Sequence, residues 1–348
     1  MSPALGHDPS RPAGALDGAS DGAPDDARLR RTLERLLTRA EGRVVRIAAL
    51  TRRPSPFASL FPADVVSLSL RGGRERSVFV KRLGDEQAEH PEKRRRDREA
   101  RIYEELLAAD RDLPAVRYYG SEWDEAARRR DLFLEYVPDW DLRYQELEHW
   151  FTAARRLASL HAHFAARAGQ LLACDYLLRL DADYLREWAE RALDVVGTYD
   201  ATLRAALSRV VGRYAQAAEL LARQPATLVH NDLAPKNVLA DRASTPARIS
   251  IVDWETAGVG CGLLDLVDLT YGLEPAAAAR MRAEYCGVLA GTPLLPDDGA
   301  ALDRLLAACE LHKTMHRLAH AASWAIPADT VARWVGEAQA SLSRVCAP

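Results

Sequence analysis

Lysine is scarce in this chain. Four of its 47 basic residues are lysines, at Lys81, Lys93, Lys236 and Lys313. Arginine presents a planar fork of donors, whereas lysine carries a compact ammonium on a flexible stem. We therefore expect a lysine here to stand, somewhat more often than by chance, where a compact charge is needed.

The chain also lacks long apolar runs, paired cysteines and a strong net charge. No segment approaches the roughly 20 apolar residues that span a bilayer, and no export signal opens the sequence. The five cysteines include no C-x-x-C pair, which is typical of reduced thiols in a cytoplasmic protein. A net charge of −3 argues against a dedicated nucleic-acid binder. We therefore predict a cytoplasmic protein that binds neither membrane nor nucleic acid, and its oligomeric state stays open.

Residues 1–27 contain almost no large apolar side chains. Their Ala, Gly, Pro, Asp and Ser cannot bury enough surface to offset the entropy of ordering, so we predict a disordered tail. After a short amphipathic helix, apolar alternation and β-branched residues predict strands, with a hairpin turn at Gly72-Gly73. The strands are expected at 44–50, 65–70, 77–83, 115–119 and 132–137, with a charged helix at about 91–108 after the third.

The rest of the chain shows mainly helical spacing. A β interlude interrupts it at about 228–229, 238–240 and 249–252. A strand-rich first part followed by a helix-rich remainder predicts an α+β fold with two lobes. We place the small antiparallel sheet lobe at 28–134 and the larger, mainly helical lobe at 135–348.

Residues 228–258, LVHNDLAPKNVLADRASTPARISIVDWETAG, hold a dense pattern of polar groups. Asn237 follows Asp232 by five residues, and an apolar strand then ends at Asp253. Phosphoryl transfer from ATP needs a carboxylate that orients the acceptor hydroxyl and takes its proton, together with oxygen ligands for magnesium. Asp232 fits the first role, and Asn237 and Asp253 fit the second. The alternative is that buried Asp and Asn side chains merely cap turns.

This pattern, H-x-D-x-x-x-x-N followed by a strand and I/V-D-W, resembles the aminoglycoside phosphotransferase and choline kinase-like families, which are relatives of the protein kinases. The resemblance implies that Asp232 is the catalytic Asp and that Asn237 and Asp253 are the two magnesium ligands. It also implies that His230 braces the loop and that Asp265, in GLLDLVDL, supports the loop through backbone hydrogen bonds.

The same resemblance implies a bilobal protein kinase-like fold, with residues 28–134 binding the nucleotide and residues 135–348 carrying catalysis and the acceptor. Kinase-like enzymes hold the ATP phosphates with a strand lysine that a helix glutamate positions. Lys81 ends SVFVK on the predicted third strand, and the alternative for it is a solvated strand end. Glu99 is the expected partner in the next helix, in competition with Glu92, Glu104 and Glu105.

The segment from Leu132 to Val137 resembles the connection whose backbone hydrogen-bonds adenine, so Glu135 and Val137 are expected at the nucleotide. The plain alternative is a buried strand. Residues 52–64 occupy the place of the phosphate loop but are not glycine-rich. There Ser55 and Ser59 could cover the phosphates, or the segment could be an ordinary surface loop.

Two places in the sequence depart from the family's pattern. Asn231 stands where relatives often carry Gly, and Cys261-Gly262 stands near their Asp-Pro. Neither departure removes a named ligand, so we expect them to affect fine geometry rather than activity. Lys236 could reach the transferred phosphate or form a structural ion pair.

Three histidines, His312, His316 and His320, repeat at four-residue spacing and could suggest a metal site. A continuous row on one helix cannot close round an ion, so we expect these side chains to line the acceptor pocket or to be solvated. The basic runs 94–96 and 128–130 have acidic neighbours and are interpreted as solvated faces.

The function expected from these observations is transfer of the γ-phosphate of ATP, with Mg²⁺, to a hydroxyl of a small molecule. From Asp265 onward ten acidic residues stand against seven basic ones, which leaves an aminoglycoside, a sugar and another natural-product alcohol open as acceptors. A peptide Ser/Thr kinase of natural-product maturation is the first alternative. A non-catalytic nucleotide-binding pseudokinase is the second, although Lys81, Asp232, Asn237 and Asp253 are all present.

Overall fold

A computed structural model describes residues 22–55, 61–84, 92, 95–138 and 141–347. The chain divides into two units, one made of Met1–Arg53 with Val66–Ser77 and the other of Pro54–Val65 with Val78–Pro348. This division differs from the predicted boundary at residues 134 and 135, and the assignment of lobes to those ranges stays a prediction.

The first unit begins with an amphipathic helix, α1 (Gly22–Glu41), which precedes strand β1 (Ile47–Pro54). The Glu34 carboxylate of α1 accepts the Ile47 N–H at 2.8 Å, so the helix is tied to the start of the strand. The helix begins inside the range predicted as a tail. Because residues 1–21 lie outside the described residues, the tail itself stays a prediction.

The predicted hairpin at Gly72-Gly73 is present. It joins β2 (Ala63–Leu70) to β3 (Glu75–Leu83), with φ values of 103° at Gly72 and 82° at Gly73. Both values lie in the region that side chains with a Cβ rarely adopt, which is why glycine suits this turn. The Leu70 N–H donates to the Arg74 carbonyl at 2.8 Å and closes the turn.

The second unit continues β3 and pairs it antiparallel with β5 (Arg129–Glu135), which pairs in turn with β4 (Tyr118–Asp124). The hydrogen-bonded order of the five strands is β1-β2-β3-β5-β4. After β3 the chain forms α2 (Arg98–Arg101), which continues as a wider π-type helix over Ile102–Leu107. The small antiparallel sheet with one helix after its third strand is therefore as predicted, although α2 begins later than residue 91.

Helices make up most of the remaining chain. Their inward faces form one apolar core, in which Leu157, Phe164, Leu311 and Met315 are each at most 1% exposed. Burying such side chains contributes about 1.5–3 kcal/mol each relative to leaving them exposed. The helices are α3 (Leu147–Ala165), α4 (Ala168–Ala173), α5 (Ala182–Gly197), α6 (Ala201–Val211), α7 (Ala215–Ala222), α8 (Leu263–Thr270), α9 (Pro275–Leu289), α10 (Gly299–His320) and α11 (Ala328–Val345), with short 3₁₀ turns at Leu142–Tyr144, Pro235–Asn237 and Trp254–Thr256.

The β interlude is also present, and it is larger than predicted. Two strands, β8 (Val238–Asp241) and β9 (Arg248–Ile251), form an antiparallel pair. A second small sheet contains three strands in the order β6-β10-β7, with β10 parallel to β6 and antiparallel to β7. Its strands are β6 (Leu178–Arg179), β7 (Thr227–Val229) and β10 (Gly258–Gly260).

Two further findings bear on composition. None of the described helices combines the length and the apolarity that crossing a membrane requires. All five cysteines lie in described segments and are free thiols.

Strand β10 gives a test of the fold that uses two matched glycine substitutions. A Cβ at Gly258 would lie 2.8 Å from the backbone oxygen of Leu178, whereas a Cβ at Gly287 in α9 meets nothing within 4 Å. We expect Gly258→Ala to lower the free energy of unfolding by about 1–3 kcal/mol because the paired strands must separate. Gly287→Ala should raise it by about 0.5–1 kcal/mol because alanine favours a helix. Urea unfolding of both variants measures the two shifts, and equal shifts would contradict the packing described for β10.

Candidate active site

The polar pattern of the sequence folds into a loop, residues 230–237, that leaves β7 and enters β8. Asp265, in the first turn of α8, is fully buried and accepts two successive backbone N–H groups of this loop. Its Oδ2 accepts the His230 N–H at 2.7 Å, and its Oδ1 accepts the Asn231 N–H at 2.9 Å. The His161 Nε2 lies 3.3 Å from Oδ2. Asp265 thus positions the start of the loop, which is the contact that the resemblance implied.

The carboxyl group of Asp265 is held in its ionised form. Burial by itself would raise its pKa, but the hydrogen bond from His161 and the charges around it bring the pKa below its ordinary value. A carboxylate that accepts several hydrogen bonds follows this rule generally.

His230 links the loop to the end of β9. Its Nε2 donates to the Val252 carbonyl at 2.9 Å, and its Nδ1 accepts the Asp232 N–H at 3.3 Å. These partners define the tautomer, because one ring nitrogen must donate while the other accepts. The ring also packs against Trp254, with the centroids 4.8 Å apart.

Asp232 and Asn237 stand together at the two ends of the loop. The Asn237 Nδ2 donates to the Asp232 backbone oxygen at 2.8 Å and lies 3.4 Å from the Asp232 Oδ2. The Asp232 side chain is 38% exposed, so its carboxylate is accessible from solvent. The ammonium of Lys236 lies 3.8 Å from the same Oδ2 and is itself about half exposed.

Lys81 lies within a group of three carboxylates. Its Nζ is 2.5 Å from the Asp253 Oδ1, 2.8 Å from the Glu99 Oε2 and 3.7 Å from the Glu255 Oε2. Burial alone would lower its pKa, but Asp253, Glu99 and Glu255 raise the pKa well above its ordinary value. Lys81 is therefore a charged residue held from β3, α2 and the segment after β9, and not a solvated strand end.

Of the four glutamates considered as partners of Lys81, Glu99 is the one that forms the ion pair. The Glu105 carboxylate contacts Arg101, Glu104 is exposed, and the Glu92 carboxylate accepts the Tyr184 hydroxyl. Burial raises the pKa of Glu99 to about 7, a rise that the charge of Lys81 opposes. Its role toward a nucleotide stays a prediction.

Asp253 has a backbone conformation that aids its placement. Its φ of 70° is left-handed, a region in which Asp and Asn occur more often than other residues with a Cβ. The Val252 N–H beside it donates to the Asn237 backbone oxygen at 3.0 Å, which brings the two segments together.

Asn237 and Asp253 fit the chemistry of a magnesium site. Both hydrogen bonds of the Asn237 side chain use its nitrogen, which leaves the amide oxygen to act as a ligand. A carboxylate and an amide oxygen are the hard donors that Mg²⁺ takes when water and phosphate supply its remaining ligands. The three carboxylates around one ammonium also leave an excess of negative charge that suits a divalent cation.

The predicted adenine segment is a buried strand end. Val137 is 5% exposed, and the Glu135 carboxylate is engaged by the Arg248 guanidinium at 2.7 and 3.1 Å. The prediction for Glu135 and Val137 concerned their backbone, and it stays a prediction. Within the phosphate-loop segment Ser55 is buried, whereas Ser59 lies outside the described residues.

The three histidines of α10 face two different neighbours. His312 is fully buried and contacts the Tyr214 hydroxyl through Nδ1 at 2.8 Å. Of the two alternatives expected for it, the solvated one is wrong, and the acceptor-pocket one stays a prediction. His316 and His320 pack against Trp188, with ring centroids 4.3 and 5.2 Å from it. Nowhere in the described segments do three or more His, Cys, Asp or Glu side chains form a group able to hold a metal ion.

The sequence reasoning did not identify three residues that contact this site. Glu255 joins the carboxylates around Lys81, Tyr184 accepts the Asn231 amide at 2.8 Å, and Lys313 contacts Asn231. The scarcity of lysine was a signal for Lys313, but it did not reveal the partner.

The chain is similar to a known protein family and to several solved structures. The model of a family described as the phosphotransferase enzyme family matches residues 53–295, more than two thirds of the chain. No protein of curated function shows significant sequence similarity. Among solved structures, a microcompartment-associated aminopropanol kinase is similar with a TM-score of 0.56 and 17% identity, over 84% of this chain and 90% of that one.

Two aminoglycoside phosphotransferases are similar at the same level. The GDP complex of aminoglycoside 2′-phosphotransferase-IIIa has a TM-score of 0.55 and 13% identity, over 90% of this chain and 98% of that one. An enzyme of Alicyclobacillus acidocaldarius has a TM-score of 0.51 and 16% identity, over 85% of this chain and 89% of that one. At such identities the likeness concerns the fold, and the predicted α+β fold of the protein kinase-like type is confirmed.

Asp265 provides a test of how the loop is held. In Asp265→Asn the amide NH₂ would face one of the two backbone N–H groups, so at least one hydrogen bond is lost. We expect a loss of about 2–4 kcal/mol in the free energy of unfolding at neutral pH. The exposed Asp303→Asn on α10 is the matched control and should change it by less than about 0.5 kcal/mol.

The contribution of Asp265 to the free energy of unfolding depends on pH with a definite sign. The pKa of Asp265 in the folded chain is below its ordinary value of 3.8, so its contribution is present above pH 3.8 and is lost as the pH falls through the folded value. Denaturant unfolding at several pH values measures this. An Asp265→Asn variant as stable as Asp303→Asn at neutral pH would contradict the role given to Asp265.

Proposed function

This chain belongs to the phosphotransferase enzyme family, and we propose that it transfers the γ-phosphate of ATP, with magnesium, to a hydroxyl group of a small molecule. The observation that carries the proposal is the contact between Lys81 and Asp253, which are 172 residues apart in the sequence. Asp253 is adjacent to the loop that bears Asn237 and the exposed carboxylate of Asp232. These are the residue types that phosphoryl transfer requires.

In the proposed reaction Asp232 is the catalytic base. Its carboxylate is accessible, and Asn237 and His230 hold its backbone, so it can orient an acceptor hydroxyl and accept its proton. Lys81, which Glu99 positions, would bind the phosphates of ATP. Glu135 and Val137 would contact adenine through their backbone.

Asn237 and Asp253 would hold magnesium. When bound, the metal ion supplies neutralisation of phosphate charge, which lowers the barrier to attack. Asp253 already pairs with Lys81, so the same carboxylate keeps the ammonium beside the metal position.

The acceptor is proposed as a small alcohol. The comparison structures include a kinase of aminopropanol and phosphotransferases of aminoglycosides, which makes hydroxylated amines the first candidates. The thin acidic excess after Asp265 keeps neutral sugars and other natural-product alcohols among them. Location in the cytoplasm and the absence of a nucleic-acid partner stay predictions.

The experiment that tests the proposal measures ADP release from Mg-ATP with each member of an acceptor panel. The panel contains kanamycin, 1-amino-2-propanol, glucose, adenosine and a serine-containing peptide. We expect one small alcohol to support turnover. Asp232→Asn should lower kcat by about 10²–10⁴-fold with little change in the KM for ATP, because the base acts only in the transition state. Asp303→Asn should match the wild type.

Each alternative has its own outcome in this experiment. A fully active Asp232→Asn variant would overturn the role of Asp232. Turnover with the peptide alone would identify a peptide kinase. A third outcome is that Mg-ATP stabilises the protein against heat while ADP release stays at the level of Asp232→Asn, with water and with every acceptor. That outcome would favour a nucleotide-binding protein without catalysis.

A further inference from the structure

Lys313 is a buried cation that the proposed reaction has not yet used. It lies on α10, and its side chain is 2% exposed. An ammonium taken out of water is costly unless its charge is paired and its donors are satisfied. Here three acceptors meet its three N–H donors: the Asn231 backbone oxygen at 2.7 Å, the Asn231 Oδ1 at 3.2 Å and the Asp268 Oδ2 at 2.7 Å.

Two of these acceptors belong to Asn231, the residue directly before Asp232. Asn231 has a φ of 69°, a left-handed conformation in which asparagine is among the tolerated residues. Its side-chain nitrogen donates to the Tyr184 hydroxyl at 2.8 Å, and its backbone N–H donates to Asp265. Every polar group of Asn231 therefore has a partner, and Lys313 supplies two of the contacts.

The contact to the Asn231 backbone oxygen bears directly on Asp232. That oxygen and the Asp232 N–H belong to one planar peptide unit. Lys313 holds the oxygen at one edge of the plane, and the His230 Nδ1 accepts the N–H at the other edge. With both edges held, the plane determines where the Cα of Asp232 stands and from where its carboxylate extends.

The surroundings favour a single compact charge at this point. Burial, and then the charge of Lys313, lower the pKa of the neighbouring His312 well below its ordinary value, so His312 adds no second cation. The donors of arginine all lie in one plane, whereas the three N–H groups of an ammonium diverge toward separate acceptors from a single compact charge. This accounts for a lysine at position 313 in a chain that otherwise prefers arginine.

We propose that Lys313 is a positioning residue for Asp232, which it places by holding the peptide plane between Asn231 and Asp232. The inference rests on the proposed function, because Lys313 affects the reaction only if Asp232 is the catalytic base. It also accounts for Asn231 at the position where relatives often carry glycine. Asn231 offers Lys313 a backbone oxygen and a side-chain oxygen, whereas a glycine would offer only the backbone oxygen.

The test replaces Lys313 without leaving a buried charge. Lys313→Met alone would leave Asp268 unpaired, and Asp268→Asn alone would leave the buried ammonium without a counter-charge. The informative variant is therefore Lys313→Met/Asp268→Asn, compared with the wild type. A cavity variant on the same helix, Met315→Ala, serves as the control for stability, because it should lower Tm through lost core packing while keeping the Lys313 contacts. The readouts are kcat and the KM for ATP, taken from ADP release with the panel acceptor that turns over, or with water if none does. Deuterium exchange of the peptide 228–236 is the readout that requires no activity.

We expect the double variant to show a kcat about 10- to 100-fold lower than the wild type, because a misplaced base loses reactive geometry. Its KM for ATP should stay within twofold, and the 228–236 peptide should exchange faster. Met315→Ala should change neither kcat nor this exchange. If the double variant equals the wild type in both kcat and exchange, the proposal is overturned.

Asp232→Asn distinguishes failure of the positioning role of Lys313 from failure of the proposed function. If Asp232→Asn loses activity while Lys313→Met/Asp268→Asn keeps it, the positioning role fails and the proposed function stands. If Asp232→Asn is fully active, the proposed function fails irrespective of Lys313.

Discussion

The buried carboxylate of Asp265 is the constraint on which the geometry of the site depends. A loop that leaves a three-residue strand has unpaired backbone N–H groups, and these must find acceptors when they are buried. Asp265 accepts two of them in succession, from His230 and Asn231, and its place in the first turn of α8 favours a negative charge. The position of residues 230–232 is therefore set by a helix more than 30 residues later. Gly262, just before that helix, follows from the same constraint, since a Cβ there would lie 2.7 Å from the His161 ring that contacts Asp265.

A second constraint is the charge around Lys81. Buried ion pairs give little net stability, because desolvation offsets much of their attraction. Folding stability alone therefore does not explain a group of three carboxylates around one ammonium. Burial is the main cause of the raised pKa of Glu99, and the charges of Asp253 and Glu255 add to the rise. In the proposed function, Mg²⁺ would add positive charge at Asp253 and the phosphates of ATP would add negative charge at Lys81, which Glu99 also contacts.

The contacts of Asn231 in the folded chain explain why it departs from the family's pattern. From the sequence alone, Asn231 predicts an altered loop geometry, because glycine adopts a left-handed φ more easily. In the structure, Lys313 and Tyr184 hydrogen-bond to the side chain of Asn231 and so stabilise its left-handed conformation in the loop. The similar solved structures share only 13–17% sequence identity with this chain, so the likeness concerns the fold alone. A residue such as Asn231 must therefore be explained from the contacts it makes in this chain.

The order of elements, the Gly72-Gly73 turn and the spacing of Asp232, Asn237 and Asp253 were determined by the sequence itself, since periodicity, turn preference and motif spacing are short-range properties. Other features were decided by the tertiary structure. Strands of two or three residues, such as β6 and β10, have no periodicity of their own and exist because they pair with each other. The selection of Glu99 among four glutamates required the path of α2 past Lys81. Lys313 stood out by its residue type, but its partner is 82 residues away, and only folding brings an ammonium to that carbonyl.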